Sequence, residues 1–189
     1  MTGAALPAQL GAFLRALHAI DPGSPIAARL PTDAIGRLDH RKRFPMAVER
    51  LRSLHDTGRI DDPAPLIASL ASIAPQPGEG ALHVVHGDLY ARHLVVDDGG
   101  ALRGVIDWGD LHLGDPALDL AAAEMLFEPA QRAEFDIGYG SVDARSRERA
   151  RWRGIYHAAM TADYGLRIDD EPLAAASLAA LRRLRRLPV

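Results

Sequence analysis

Residues 83–121 read HVVHGDLYARHLVVDDGGALRGVIDWGDLHLGDPALDLA, and their order decides the fold. A short apolar run, 82–85, ends in His86-Gly87-Asp88, and His93 follows five residues after Asp88. Runs at 94–96 and 102–106 are rich in β-branched and aliphatic residues. Asp97-Asp98-Gly99-Gly100 between them is a hairpin signal. The second run ends in Ile106-Asp107, and two further carboxylates stand at Asp115 and Asp119. Strand ends that deliver Asp88 and Asp107 to one edge of a hairpin make a site for a metal and a phosphate. Mg²⁺ takes oxygen ligands, commonly one or two carboxylates plus phosphate oxygens. A second carboxylate close by can accept a proton from an attacking hydroxyl.

Outward from this stretch the chain reads as helices. Residues 7–19 place Leu10, Phe13, Leu14 and Leu17 on one stripe, with Pro7 near the start. A second helix is expected over 45–57, closed by Gly58. A third is opened by Asp62 as N-cap and Pro63 at the first helical position, with Leu66, Ile67, Leu70 and Ile73 inward. It ends at Pro75-Gln76-Pro77-Gly78. After the acidic segment, Asp115 caps a helix that starts at Pro116, and more helices read at 129–137, 143–164 and 172–187. The expected class is α+β: mostly α, with a small β hairpin insert carrying the acidic residues. No repeat or long linker divides residues 1–189, so a single domain is expected.

The segment resembles the catalytic segment of the aminoglycoside phosphotransferase family, the small-molecule branch of the protein-kinase-like fold. That signature is His-Gly-Asp, four residues, Asn, then Ile-Asp with further Asp residues at fixed distances. It maps onto His86-Gly87-Asp88, position 93, Ile106-Asp107, Asp115 and Asp119. The resemblance implies a kinase-like C-terminal lobe. It also implies Asp88 as the catalytic base, Asp107 as a Mg²⁺ ligand, and Asp119 as the helix-borne carboxylate that braces the catalytic loop. His86 would order that loop through backbone hydrogen bonds. Position 93 departs from the pattern, because His93 stands where the family has Asn. A neutral imidazole can bind metal, though it suits Zn, Mn or Fe better than Mg²⁺. Metal binding and a plain backbone cap both remain open for His93, as do N-cap and functional roles for Asp115.

The kinase template also calls for an N-terminal sheet, a loop over the phosphates and a phosphate-binding Lys. Nothing before Leu82 reads that way, and the only lysine, Lys42, lies in Arg41-Lys42-Arg43. The expectation is therefore a C-terminal lobe whose N-terminal lobe is missing, inactive as this chain alone. A separate N-lobe polypeptide or a homodimer partner would complete it.

Three functions compete. The first transfers the γ-phosphoryl of ATP or GTP to a hydroxylated small molecule, with antibiotic resistance as the family's corresponding role. The second is a truncated or degenerate lobe that folds without catalysing. The third is a two-metal phosphoesterase built on His86, Asp88, His93 and Asp107, which needs ions about 3.5–4 Å apart. Acidic residues beyond the segment (Glu124, Glu128, Glu134, Asp136, Asp163, Asp169, Asp170 and Glu171) suit a cationic aminosugar or equally a set of solvated helix faces.

Composition narrows the partners. A net charge of −3 and a pI near 6.2 give no general attraction to nucleic acid or to an anionic membrane. Arg182-Arg183-Leu184-Arg185-Arg186 looks basic, but Leu178, Leu181, Leu184 and Leu187 share a helical stripe, so the arginines form its wet face. No apolar run approaches the length of a membrane span. The chain has no cysteine, which is compatible with a cytoplasmic location. Trp108 is expected to pack under the metal loop and Trp152 in the core. His18, His40, His55, His83, His112 and His157 show no metal spacing and read as packed or partly exposed imidazoles.

Overall fold

The structure is a computed structural model that describes residues 5–76 and 78–185. Its helices are α1 (Leu6–His18), α2 (His40–Asp56), α3 (Ala64–Ile73), α4 (Ala117–Leu126), α5 (Pro129–Tyr139), α6 (Ala144–Arg167) and α7 (Glu171–Arg185). Four short strands lie between α3 and α4: β1 (His83–Val85), β2 (Leu94–Val96), β3 (Leu102–Val105) and β4 (His112–Gly114). The architecture is the expected one, mostly helical with a small β insert.

The strand pairing corrects one expectation. β2 and β3 form the hairpin, with Leu94 opposite Val105. β1 instead pairs with β4, antiparallel, with Val85 opposite His112. Asp88 and Asp107 therefore do not follow strands of one hairpin; each follows a strand of a different two-stranded sheet. β4 has only three residues, one of them glycine, so it shows no period-two pattern in the sequence. Helix α2 is also longer than expected. Asp39 caps it by accepting from the Lys42 amide at 3.2 Å, so it begins at His40 and contains Pro45. Proline there removes the bond to the Arg41 carbonyl, and the exposed position of Arg41 leaves that carbonyl open to water. Helix α3 ends at Ile73, two residues before Pro75, and the chain leaves it through Ala74 in the left-handed region at φ 37°. Pro77 and Leu187 lie outside the described residues.

Helix α6 is the long spine, about 36 Å at 1.5 Å per residue. Asp143 starts it by accepting from the Ser146 amide at 2.9 Å. One face carries Trp152, Ile155 and Ala159, which pack with Leu51 and Leu54 of α2, Leu70 of α3 and Leu181 and Leu184 of α7. Trp152 is fully buried, and its indole donates to the Leu70 carbonyl at 3.1 Å. A second core joins Leu6, Leu10, Leu14 and Leu17 of α1 to Val84, Leu89, Leu120, Phe127 and Phe135. Where α1 crosses α5 the backbones nearly touch. A methyl on Gly11 would lie 2.3 Å from the Phe135 carbonyl, and one on Gly138 would lie 2.1 Å from the Ala8 carbonyl. Any side chain at either position would push the helices apart. Among the described residues no helix is long and apolar enough to cross a membrane.

Candidate functional site

The loop after β1 turns at Gly87, whose φ of +84° favours glycine. A methyl there would also meet the Asp110 carbonyl and the His112 ring at 2.6 Å. Helix α4 fixes this turn from below. The fully buried Asp119 accepts the His86 amide with one oxygen and the Gly87 amide with the other, both at 2.8 Å. Its first oxygen also meets His18 Nε2 at 3.1 Å, and His18 Nδ1 lies 2.9 Å from the Tyr139 hydroxyl. Burial, with Asp119 nearby, pushes the Tyr139 hydroxyl up to about 12, so it keeps its proton to donate to His18 Nδ1. His86, also fully buried, spends Nε2 on the Ile106 carbonyl at 2.9 Å and offers Nδ1 to the Asp88 amide at 3.4 Å.

His93 joins the two acidic segments. It closes a 3-10 turn, Ala91–His93, and its Nδ1 donates to the Asp88 backbone carbonyl at 2.8 Å. Its Nε2 lies 3.3 Å from the Asp107 carboxylate. Asp107 itself is in the left-handed region at φ 63°, a conformation that Asp tolerates better than most residues and that concentrates at functional sites. Its side chain remains 65% exposed, whereas the His93 ring behind it is buried. One ring thus caps the loop through Nδ1 and turns Nε2 to the Asp107 carboxylate. Trp108 roofs this region, its indole donating to the Val105 carbonyl at 3.0 Å and its ring 4.8 Å from that of His86.

The Asp88 carboxylate meets groups that the sequence did not point to. Arg153 Nη2 lies 3.5 Å away and His157 Nδ1 3.6 Å away, one helical turn apart on α6. Burial, reinforced by Arg153 and His93, pushes His157 down to about 3, so it stays neutral. Burial likewise lowers Arg153, with Asp88 acting against that shift. Burial and then Asp88 raise Tyr90, which packs edge-on against His93. The sequence marked 143–164 as a helix, but not which of its side chains would meet Asp88.

Asp115 stands apart from this cluster. It accepts from the Ala117 amide at 2.9 Å at the start of α4 and pairs with Arg149 at 2.7 Å. Asp110 pairs with Arg37. Among the described residues no three His, Asp or Glu side chains converge to cage a metal. With His86 spent on the backbone and Asp88 facing Arg153, the donor set of a two-metal phosphoesterase is not assembled. A cavity of about 550 Å³ borders the site at Tyr90, Arg92 and His157 and runs between α4, α6 and α7. A larger one, about 670 Å³, lies on another face beside Glu124, Arg132 and Arg147 and touches none of the residues named for the site.

Comparison with known proteins agrees with this geometry. The model of the phosphotransferase enzyme family matches residues 3–155. A curated protein of Bacillus subtilis (strain 168), the uncharacterized protein YcbJ, is 30% identical over 76 residues, 38% of this chain and 24% of that protein. Among solved structures, the GDP complex of an aminoglycoside 2′-phosphotransferase superposes with a TM-score of 0.60 at 20% identity, over 95% of this chain and 60% of that one. The macrolide 2′-phosphotransferase MphH from Brachybacterium faecium gives 0.54 at 22% identity, over 100% and 62%. The AMP complex of a spectinomycin phosphotransferase gives 0.60 at 16% identity, over 100% and 70%. The chain thus spans about a quarter of the curated relative it matches and about 60% of the first two of these solved chains, as the C-terminal lobe of the kinase-like fold does.

Proposed function

Since this chain belongs to the phosphotransferase enzyme family, we propose that it carries the lobe that transfers the γ-phosphoryl group of ATP or GTP to a hydroxyl of a small molecule. The observation that supports this most is the His93 link, which ties the Asp88 backbone to the Asp107 carboxylate through one imidazole. Asp88 orients the acceptor hydroxyl and takes its proton. Asp107 and His93 Nε2 present an oxygen and a nitrogen side by side, a pair that fits a divalent cation already carrying phosphate oxygens. Mg²⁺ held there supplies charge neutralisation at the transferring phosphate.

The rest is positioning. Asp119 and His86 fix the loop backbone so that Asp88 needs no reorganisation when the hydroxyl arrives. Arg153 Nη2, 3.5 Å from the Asp88 carboxylate, holds that side chain in place. The donor nucleotide is part of the proposal; GDP and AMP are the ligands of two of the structural relatives.

The test is Mn²⁺ binding followed by electron paramagnetic resonance. Asp107→Asn and His93→Ala should each weaken Mn²⁺ at least about tenfold, in line with the loss of a ligand, whereas Asp88→Asn should leave it within about twofold. His93→Asn should shift preference toward Mg²⁺ over Mn²⁺. Equal Mn²⁺ affinity in all four variants and the wild type would remove the site.

A further inference from the structure

Five of the eight acidic residues that could have received a cationic sugar are engaged by arginines, and the other three, Glu134, Asp169 and Glu171, are exposed and do not line the cavity beside the site. Glu124 is buried between Arg132 and Arg147, and Asp136 also pairs with Arg147. Asp163 meets Arg50 and Arg167. Glu128 pairs with Arg183, and Asp170 with Arg92. The last two pairs place the guanidinium, not the carboxylate, on the cavity wall beside the site.

The rest of that wall is uncharged. Met125, Leu126, Leu173 and alanines of α7 give it an apolar side, Gln131, Thr161 and Ser177 add neutral polar groups, and no Asp or Glu lines it among the described residues. Even Asp88, at the edge, is answered by Arg153. His157 also lines the cavity, is only 8% exposed, and its Nε2 has no hydrogen-bond partner. A buried polar nitrogen left unpaired costs free energy that a ligand hydroxyl can recover. Nδ1 already faces Arg153 at 3.5 Å and the Asp88 carboxylate at 3.6 Å, which leaves Nε2 as the nitrogen turned to a ligand.

From this we infer that the acceptor is an uncharged alcohol with an apolar body, seated in the 550 Å³ cavity with one oxygen on His157 Nε2. A polycationic aminosugar is selected against. It would be stripped of water beside Arg92 and Arg183 with no carboxylate to replace that water. Calling the occupant the acceptor rests on the phosphotransfer reading; the chemistry of the cavity does not.

The experiment is calorimetric titration of the full chain, without nucleotide, with octyl β-glucoside below its micelle concentration and with kanamycin. Octyl β-glucoside is expected to bind at least about tenfold tighter than kanamycin. Ala176→Phe, which fills the cavity from an exposed position on α7, should weaken the glucoside at least about tenfold and leave kanamycin unchanged. In the wild type, NMR saturation transfer should run from the His157 and Tyr90 ring protons to the alkyl chain, a readout that does not depend on the folding of the variant. Tighter binding of kanamycin, loss of kanamycin binding in Ala176→Phe, or no contact between the glucoside and His157 overturns the inference. None of these outcomes involves phosphate or metal, so the phosphotransfer reading stands or falls separately, on the Mn²⁺ titration.

Discussion

Replacing Asp119 by Ala tests the foundation of the loop. The carboxylate is fully buried and accepts the His86 and Gly87 amides at 2.8 Å each. Neither amide can turn elsewhere, because β1 holds one side of the loop and the Gly87 conformation the other. Each buried donor left unmade costs about 1–3 kcal/mol, and a water entering the vacated space offsets part of that. The expected loss is about 3 kcal/mol. For 189 residues the unfolding entropy near the midpoint is about 0.4 kcal/mol/K, so the midpoint should fall by about 8 °C. His18→Ala removes only the third hydrogen bond and leaves both amides paired, so it should cost about 1–1.5 kcal/mol. In an Asp119→Ala background the His18 substitution should cost little more, since its partner is gone. Thermal and urea unfolding followed by tryptophan fluorescence and circular dichroism measure all three. A midpoint within about 2 °C of wild type for Asp119→Ala, or strict additivity with His18→Ala, would refute the reasoning.

Two further perturbations probe the neighbours of Asp88. His157 is held down at about 3, well below its ordinary 6.5, so the folded chain refuses a proton that the unfolded chain accepts. Its contribution is complete above about pH 6.5 and is lost as pH falls toward 3, with about 2 kcal/mol gone near pH 5. His157→Leu should flatten the stability profile between about pH 6.5 and 4, above the range where carboxylates dominate; an unchanged slope there contradicts the assignment. Gly87→Ala forces a left-handed backbone and a contact of 2.6 Å with the Asp110 carbonyl. It should cost about 2 kcal/mol or more in urea unfolding, and a neutral result would mean the turn is not built as described.

The helices were legible because their signals are local. Leu10, Leu14 and Leu17 recur at helical spacing, Asp143 is a capping residue, and the Leu181–Leu184 stripe points inward as its spacing implies. The β1–β4 pairing was not, because three residues ending in glycine carry no alternation and the pairing spans the whole hairpin between them. Asp119 stood out as a carboxylate inside a helix, where Asp is a poor former, and the need for a polar partner followed. That His18, 101 residues earlier, would be one of its partners did not, since a lone histidine on an apolar helix looks the same whether or not it meets a charge. Arg153 and His157 were hidden for a related reason. On a helix with six arginines, nothing in the spacing separates the buried ones that answer Asp115 and Asp88 from those on the wet face.

The account stands on Asp88 as the group that receives the acceptor's proton. The direct measurement is the rate of γ-phosphoryl transfer from ATP or GTP, with Mg²⁺, to a panel of uncharged and cationic alcohols by this lobe joined to an N-terminal lobe that completes the nucleotide site, read as new phosphate monoester resonances by ³¹P NMR for the wild type and Asp88→Asn. A general-base contribution of about 10²–10⁴ predicts at least a hundredfold fall in rate in the variant, with Mn²⁺ affinity retained. A rate within about twofold of wild type in Asp88→Asn would contradict the account.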